Sequence, residues 1–437
     1  MGSGSEEARS ATHDTGCLGA SDLMARVLSR PNLQAALKRV RSNKGSAGID
    51  GMTVDELPEY LRAHWPALRE LLLAGRYQPR AVRRHLIPKR GGGVRTLGIP
   101  TVLDRFIQQA LLQILQPLID PSFSRHSYGF RPGRRAHEAI LAAQAFIQDG
   151  RRWVVDVDLE SFFDRVNHDV LMGKLAARIA DRRVLALIRR YLAAGIMAHG
   201  VVIERHEGTP QGGPLSPLLA NVLLDEVDKE LERGGHAFVR YADDCNVYVR
   251  SRRAGERVMR RLRRCYAKLR LRINESKSAV AVVMGRKLLG YTFWFAPGGI
   301  VKRAVARKAL GEMKERVRRI TQRNAGRSVE QVAAQLRAYL LGWREYFRLA
   351  ETPRRFDELD QWLRHRLRAL HLKHWKRGRV VYRELRALGM TSEQAAMVAS
   401  QTRRWWHNSS LLINRAFPTR YFDQLGVPRF ARVTSTH

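Results

Sequence analysis

Residues 237–251 read AFVRYADDCNVYVRS, and this stretch decides the fold. Aromatic and β-branched residues flank two adjacent aspartates, Asp243 and Asp244, on both sides. Such residues favour half-buried strands, whereas Asp and Asn favour the turn that joins two strands. The pattern therefore predicts a β-hairpin with the aspartates at or near its tip. Taken alone, the stretch is compatible with an ordinary solvated turn and with a turn that holds carboxylates for divalent metal ions.

A second acidic stretch, RRWVVDVDLESFFDRVNHDVL at 151–171, predicts a buried strand that runs into a helix. Because side chains alternate along a strand, Asp156 and Asp158 share one face, opposite Val155 and Val157. Carboxylates on an apolar strand are costly unless they are paired or bind metal. A sheet that brings this strand to the hairpin would assemble the carboxylates that two-metal nucleotidyl transfer needs.

The composition points to a polyanionic partner. The chain has 437 residues, with 78 Lys and Arg against 41 Asp and Glu, a formal net charge of +37. Such an excess favours nucleic acid as the partner. A membrane is disfavoured, because there is no apolar run of about 18 residues and no signal-peptide pattern. Three scattered cysteines without a C-x-x-C pair argue against disulfides and structural zinc, and they fit a reducing cytoplasm.

The character of the chain changes along its length. Residues 1–20 are small, polar and aperiodic, which predicts a disordered tail. From about 301 an apolar helical stripe lies between basic residues, and residues 301–350 carry 13 Lys and Arg against 4 Asp and Glu. We therefore predict a helical domain that begins near 300. Its basic, aromatic C-terminal stretch, with Trp405 and Trp406, either contacts nucleic acid or packs as a helical cap.

Several motifs follow one another in a characteristic order. They are NKGSAGIDGMT (43–53), IPKRGGGVRTLGIPTVLDR (87–105), SYGFRPGRRAHEA (127–139), VDVDLESFFDRVNHD (155–169), GTPQGGPLSPLLANVLLDEVD (208–228), RYADD (240–244), NESKS (274–278), LLGYTF (288–293), LGWREYF (341–347) and LDQWLRHRLRAL (359–370). In this order they resemble bacterial group II intron-encoded reverse transcriptases with maturase function, over about residues 30–430. No cysteine follows Cys265, so the resemblance is to the type that lacks the zinc-associated endonuclease domain.

The resemblance implies an α+β right-hand polymerase, with α/β fingers and a palm built on an antiparallel sheet, followed by an all-α thumb or maturase domain. The expected divisions are a tail at 1–20, an N-terminal extension and fingers at 21–150, and a palm with the YADD active site at 151–300. The thumb or maturase domain is expected at 301–385 and a basic, DNA-binding-like segment at 386–437.

The resemblance also implies roles for individual residues. Asp158, Asp243 and Asp244 would be the catalytic residues and would bind two Mg²⁺ ions. Asp158 is preferred to Asp156 because the family's carboxylate precedes the sugar-gate aromatic, here Phe163, by five positions. That aromatic has the alternative of being a core residue beside Phe162. The residues expected to bind the dNTP are Lys89, Arg95, Phe163, Gln211 and Lys277. The residues expected to contact template or primer are Gly212, Leu289, Gly290 and Tyr291.

The implied function is an RNA-directed DNA polymerase of a mobile group II intron, which copies intron RNA into cDNA and assists splicing. Its partners would be the intron RNA, an RNA template with a DNA primer, target DNA and dNTPs, and no membrane. Three alternatives stand beside it. They are a splicing maturase or RNA chaperone without polymerase activity, an intron-free relative recruited to DNA repair or phage defence, and an RNA-dependent RNA polymerase. The intact acidic triad disfavours a maturase or chaperone without polymerase activity, and the YADD form disfavours a recruited intron-free relative. Phe163 disfavours an RNA-dependent RNA polymerase.

Overall fold

The computed structural model describes residues 22–88, 93–198, 201–203, 207–209, 212–322, 326–409 and 413–431. The predicted tail at 1–20 lies outside these residues, as do Lys89 and Gln211, and only the backbone of Arg95 is described. The chain divides into two compact units between Ala281 and Val282. The sequence placed a domain boundary near 300, and its finer divisions stay predictions.

The first unit interleaves helices with strands. Its helices are α1 (Leu23–Val27), α2 (Arg30–Ser42), α3 (Leu57–Leu73), α4 (Val102–Ile119), α5 (Ala136–Gln148), α6 (His168–Ala176), α7 (Arg182–Ala193), α8 (Ser216–Arg233) and α9 (Arg252–Lys268). Its strands are β1 (Val82–Pro88), β2 (Val94–Ile99), β3 (Trp153–Val157), β4 (Ile196–Ala198), β5 (Val201–Ile203), β6 (Ala237–Tyr241), β7 (Asp244–Val249) and β8 (Ala279–Val282), the last of which reaches the boundary.

These strands form two four-stranded sheets. One has the order β2-β1-β4-β5 and contains the predicted basic hairpin, β1 and β2. The other has the order β6-β7-β3-β8, and both β6 and β3 pair with β7 in antiparallel fashion. The second sheet therefore places the two acidic stretches of the sequence on adjacent strands.

Two helices of opposite character cover the second sheet. Helix α8 is buried over most of its length, including the polar residues Asn221, Asp225 and Asp228. Helix α9 is amphipathic and packs on β3 and β7. Gly255 permits α9 to pack closely on the neighbouring strand β8, because a Cβ there would lie 2.5 Å from a methyl carbon of Val280. Buried polar residues require partners. Asp225 pairs with Arg178 at 2.8 Å, whereas Asn221 and Asp228 find their partners at the site described below.

The second unit begins with a small antiparallel sheet and continues as helices. Its strands are β9 (Lys287–Leu288), β10 (Tyr291–Phe295) and β11 (Val301–Val305). Its helices are α10 (Arg307–Ile320), α11 (Val329–Tyr346), α12 (Pro353–Trp375), α13 (Gly378–Ala387), α14 (Ser392–Ser400), α15 (Trp405–Asn408), α16 (Ile413–Ala416) and α17 (Thr419–Gln424). They enclose their own apolar core.

The helical region starts slightly later than the sequence suggested. Residues 301–305 form a strand rather than the start of a helix, because the turn at Pro297–Gly299 folds them back onto β10. Otherwise the predicted α+β class, with antiparallel strands around the YADD hairpin and a helical region after them, is confirmed. Within the described residues, no helix combines the length and the apolarity needed to cross a bilayer.

Candidate active site at the carboxylate edge of the palm sheet

The hairpin β6–β7 places its two aspartates at the tip. Tyr241 pairs with Asp244, so Ala242 and Asp243 form a two-residue loop. Ala242 is buried and has a φ of 58°, a left-handed conformation that is uncommon for a residue with a side chain. Asp243 is partly exposed and Asp244 is exposed. The backbone thus directs two carboxylates toward solvent from a turn whose other loop residue is buried.

Strand β3 brings a third carboxylate to the same edge of the sheet. Val157 pairs with Cys245, so Asp158, the next residue, comes beside Asp244 at the paired ends of β3 and β7. Asp156 lies two residues back and pairs with Asn246, whose amide donates to the Asp156 carboxylate at 2.9 Å. Asp156 is therefore part of the ladder, whereas Asp158 lies beyond its last pair.

The turn after α9 holds Asp158 through its backbone. The Asp158 amide donates to Ser278 Oγ at 3.0 Å, and the Asn274 amide donates to the Asp158 carbonyl at 2.8 Å. The Lys277 ammonium lies 3.5 Å from Asp158 Oδ2, with 64% of the lysine side chain and 34% of the aspartate side chain exposed. An exposed pair of this kind contributes little to stability, so Lys277 can exchange Asp158 for another anion.

The donor set fits a divalent cation. Asp158, Asp243 and Asp244 offer hard carboxylate oxygens at one solvent-facing edge, and Mg²⁺ binds through a few such ligands while it keeps several waters. Within the described ranges, no three His, Cys, Asp or Glu side chains are gathered closely enough to form a ready-made metal cage. We call this solvent-facing group of Asp158, Asp243 and Asp244 the acidic edge.

A buried arginine fixes the turn from below. Arg240 is fully buried, and its guanidinium forms an ion pair with Asp228 of α8 at 2.6 Å. The same guanidinium donates to Asn221 Oδ1 at 2.9 Å, to the Ala242 carbonyl at 2.9 Å and to Ser127 Oγ at 2.7 Å. Burial opposes the charge, but Asp228 outweighs it, and the pKa of Arg240 is raised.

The SYGF loop packs directly on the same turn. The Tyr128 amide donates to the Arg240 carbonyl at 2.9 Å, and Asn221 donates to the Gly129 carbonyl at 3.0 Å. A Cβ at Gly129 would lie 2.2 Å from the Ala242 amide nitrogen, a distance that only glycine allows. Three motifs that are far apart in the sequence therefore meet behind the aspartates.

The two phenylalanines after β3 have different environments. Phe162 is buried in the core, whereas Phe163 is partly exposed. The Phe163 carbonyl accepts a hydrogen bond from the Thr209 amide at 2.7 Å. A Cβ at Gly208, whose φ is +90°, would lie 3.0 Å from that carbonyl oxygen. Thr209 and Gly208 of the GTPQGG motif thus fix the backbone of Phe163, five residues after Asp158.

The remaining predicted residues lie in several places. Arg95 pairs with Ile87 in the basic hairpin, and a Cβ at Gly212 would lie 2.8 Å from the Gly98 carbonyl of β2. Leu289, Gly290 and Tyr291 belong to the second unit. There Tyr291 is fully buried and donates to the Tyr346 carbonyl, while Gly290 has a φ of 80° and packs on Phe347.

Comparisons with known proteins identify two kinds of domain in the chain. Residues 87–293 match the reverse transcriptase (RNA-dependent DNA polymerase) family, and residues 310–389 match the group II intron, maturase-specific domain. The chain therefore contains a reverse transcriptase domain followed by a group II intron maturase-specific domain. Among its relatives, protein YkfC of Escherichia coli is 39% identical over 215 residues, which are 48% of this chain and 56% of the relative.

Two further similarities concern a curated protein and a solved structure. The group II intron-encoded protein LtrA of Lactococcus lactis subsp. cremoris is 37% identical to this chain over 206 residues, which are 47% of this chain and 34% of LtrA. A chain of the partial Cas6-RT-Cas1--Cas2 complex is 25% identical with a TM-score of 0.38, covering 57% of this chain and 43% of that one. The matched part of the chain thus spans about a third to just over half the length of these curated relatives.

The sequence patterns did not predict the roles of Arg240, Asp228 and Asn221 behind the turn. Asp228 lies in LLDEVDKEL, where neighbouring acidic residues suggest a solvent-exposed position. Arg240 is one of many basic residues in a basic chain, so its type alone indicates no special role. A usable signal was present, because Arg240 stands between Val239 and Tyr241 in a strand that is predicted to be half-buried. An arginine in such a strand needs a buried partner.

Proposed function

We propose that this chain is an RNA-directed DNA polymerase encoded by a group II intron, which copies intron RNA into cDNA for retrohoming and binds the intron RNA to assist splicing. The observation that carries the proposal is the register of β3 and β7. It supports a site in which Asp158 and Asp244 stand at paired strand ends, with Asp243 in the adjoining turn.

Asp158, Asp243 and Asp244 would hold two Mg²⁺ ions. When bound, such ions activate the attacking 3′-hydroxyl and stabilise the leaving oxygen. The protein itself supplies position, because Arg240 ties the Ala242 carbonyl to helix α8 and thereby fixes the direction of the neighbouring carboxylates.

Two further side chains act on the incoming nucleotide in this proposal. The exposed ammonium of Lys277, beside Asp158, is placed to donate a proton to the leaving pyrophosphate or to neutralise it. Phe163, partly exposed next to the acidic edge, occupies the space of a ribose 2′-hydroxyl and so selects dNTPs over rNTPs. Lys89, Arg95 and Gln211 would complete the dNTP site, with Gly212 at the template and Leu289, Gly290 and Tyr291 at the primer.

The partners follow from the same reaction. They are an RNA template with a DNA primer, dNTPs, the intron RNA and the target DNA, and the net charge of +37 favours all of these polyanions. We place the reaction in the bacterial cytoplasm, where these substrates are found.

Primer extension on an RNA template tests the proposal. We expect extension with dNTPs and little with rNTPs, loss on addition of EDTA, and recovery when Mg²⁺ is restored. A splicing assay with the RNA that flanks the coding sequence tests the maturase role separately. A protein that binds RNA but extends no primer under any of these conditions would contradict the polymerase function.

A further inference from the structure

His168 is a buried histidine that takes no part in the reaction proposed above. It is the first residue of helix α6, and only 3% of it is exposed. Asn167 caps this helix, since its side chain accepts a hydrogen bond from the Val170 amide at 3.0 Å. The cap fixes the first turn of α6 and with it the direction in which the His168 side chain leaves the backbone. A polar ring that is buried in this way needs a hydrogen-bond partner.

The imidazole of His168 binds the loop that precedes helix α8. His168 Nε2 lies 2.7 Å from the Gly208 carbonyl oxygen. Because a carbonyl oxygen can only accept, this hydrogen bond requires a proton on Nε2. The chain just before α6 binds the same glycine, since the Gly208 amide donates to the Val166 carbonyl at 2.8 Å. Residues 166–168 therefore hold Gly208 at both its amide and its carbonyl.

A single peptide group connects His168 to Phe163. Its carbonyl, that of Gly208, accepts the hydrogen bond from His168. Its N–H, that of Thr209, donates to the Phe163 carbonyl at 2.7 Å. Because a peptide group is planar and rigid, a bond that fixes its carbonyl also fixes the direction of its N–H. Hydrogen bonds at the two ends of one amide also polarise and strengthen each other. His168 therefore acts on the Phe163 carbonyl through one rigid unit.

The backbone of Phe163 depends on this partner because its own helix is short. Phe162–Asp164 form a 3₁₀ helix of three residues, and a helix so short leaves its carbonyls to partners outside it. The peptide that serves Phe163 is itself anchored on a further side, since Thr209 Oγ1 donates to Ser216 Oγ of α8 at 3.1 Å. Two helices, α6 and α8, thus hold the group that orients Phe163.

We infer that His168 is a positioning residue for Phe163, and that by holding the Gly208 carbonyl it sharpens the selection of dNTPs over rNTPs. The inference rests on the proposed polymerase function and on the proposed role of Phe163. Phe163 is partly exposed, so packing holds its ring less firmly than it holds the ring of buried Phe162. A ring that excludes one hydroxyl group must be held in place, because a small displacement admits that group. The backbone bonds supply this restraint.

Single-nucleotide incorporation with dCTP and CTP on an RNA template, together with thermal unfolding of the full chain, tests this inference. The test variant is His168→Phe, which keeps an aromatic ring but has no donor for the Gly208 carbonyl. If it does not fold, His168→Asn takes its place, since the shorter side chain does not reach that carbonyl. His168→Gln places an amide N–H near the position of Nε2 and is the conservative variant. The matched control is Leu171→Val, which removes a methylene group from the buried face of the same helix and no hydrogen bond.

We expect His168→Phe to lower the preference for dCTP over CTP in kcat/KM by about three- to tenfold. His168→Gln should restore most of the preference. Leu171→Val should lower the unfolding temperature but keep the preference, which separates positioning from a general loss of stability. On a Phe163→Ala background, His168→Phe should leave the preference unchanged, because a residue that acts through Phe163 has no effect once that ring is absent.

The possible failures can be told apart. A wild type that extends no primer contradicts the polymerase function, and an unchanged preference in Phe163→Ala contradicts the role of Phe163. Either result overturns this inference as well. If Phe163→Ala lowers the preference but His168→Phe keeps it in full, Phe163 retains its role and only the inference about His168 is overturned. Equal effects of His168→Phe with and without the Phe163 ring would overturn it too, since His168 would then act by another route.

Discussion

Arg240 and Asp228 form an ion pair in which neither side chain is exposed to solvent. Because the same guanidinium donates to the Ala242 carbonyl, the pair joins helix α8 to the turn that carries Asp243. Stability and activity should therefore depend on this pair in different ways. Stability requires only that neither buried charge lacks a partner. Activity requires the hydrogen bonds from the Arg240 guanidinium that fix the turn.

Replacement of one or both partners separates these two roles. Arg240→Met leaves the Asp228 carboxylate buried without a partner, and we expect a loss of about 3–5 kcal/mol in the free energy of unfolding. The double variant Arg240→Met/Asp228→Leu should recover much of that stability. It should still extend primers poorly, because nothing holds the Ala242 carbonyl. Urea unfolding and primer extension on the same preparations measure both quantities. Full activity in the stable double variant would show that the pair has no positioning role.

Gly129 is expected to be intolerant of substitution for a related reason. A Cβ there meets the backbone nitrogen of Ala242 at 2.2 Å, and backbone cannot move aside as a side chain can. Gly129→Ala should therefore displace the turn and abolish most of the extension activity. Gly173→Ala in α6 is the control, since its Cβ meets nothing within 4 Å and a helical alanine adds about 0.5–1 kcal/mol of stability. Equal activities of the two variants would contradict the tight packing described for the turn.

Phe163 should set the choice between dNTPs and rNTPs. Phe163→Ala opens the space of the 2′-hydroxyl, and we expect the preference for dNTPs in kcat/KM to fall by about 10–100-fold. Single-nucleotide incorporation with dCTP and CTP measures the ratio. Phe162→Leu, which alters the buried neighbour, serves as the comparison and should keep the preference. If only Phe162→Leu gained CTP incorporation, Phe162 and not Phe163 would be the residue that excludes the 2′-hydroxyl.

His371 should make the second unit sensitive to acid. Burial lowers the pKa of His371 to about 4 from its ordinary value of 6.5, and the ring stacks on Phe417 at 4.4 Å. The unfolded chain therefore takes up a proton at a higher pH than the folded one. The resulting stability is fully present above pH 6.5 and is lost as the pH falls toward 4, by up to about 3 kcal/mol.

His371→Phe keeps an aromatic ring in this stack but cannot be protonated. Urea unfolding of the wild type and of this variant between pH 7 and 4 should show a smaller loss in the variant. The difference between the two curves isolates His371 from the carboxylates that titrate in the same range. Parallel curves would indicate that His371 is protonated equally in the folded and unfolded states.

The sequence predicted those features of the fold that local periodicity controls. Alternation of apolar and polar residues revealed strand β3 with its two aspartates on one face, and the turn residues revealed the hairpin. Neither pattern could reveal which strand pairs with which, so the position of Asp158 beside Asp244 needed the structure. The Arg240–Asp228 pair was missed because it joins a strand to a helix through side chains that look ordinary in sequence. The basic apolar stripe placed the start of the helical region near 301, whereas β11 pairs with β10 across the turn at Pro297–Gly299 and the helix begins at Arg307.

Primer extension on an RNA template, with single carboxylates replaced by their amides, tests the central claim most directly. The account predicts that Asp158→Asn and Asp243→Asn fold normally and lose extension with dNTPs and Mg²⁺. Asp156→Asn should keep most of its activity, since an amide oxygen at that position can still accept the hydrogen bond from Asn246. Loss of activity in Asp156→Asn together with normal extension by Asp158→Asn would contradict the assignment of the acidic edge.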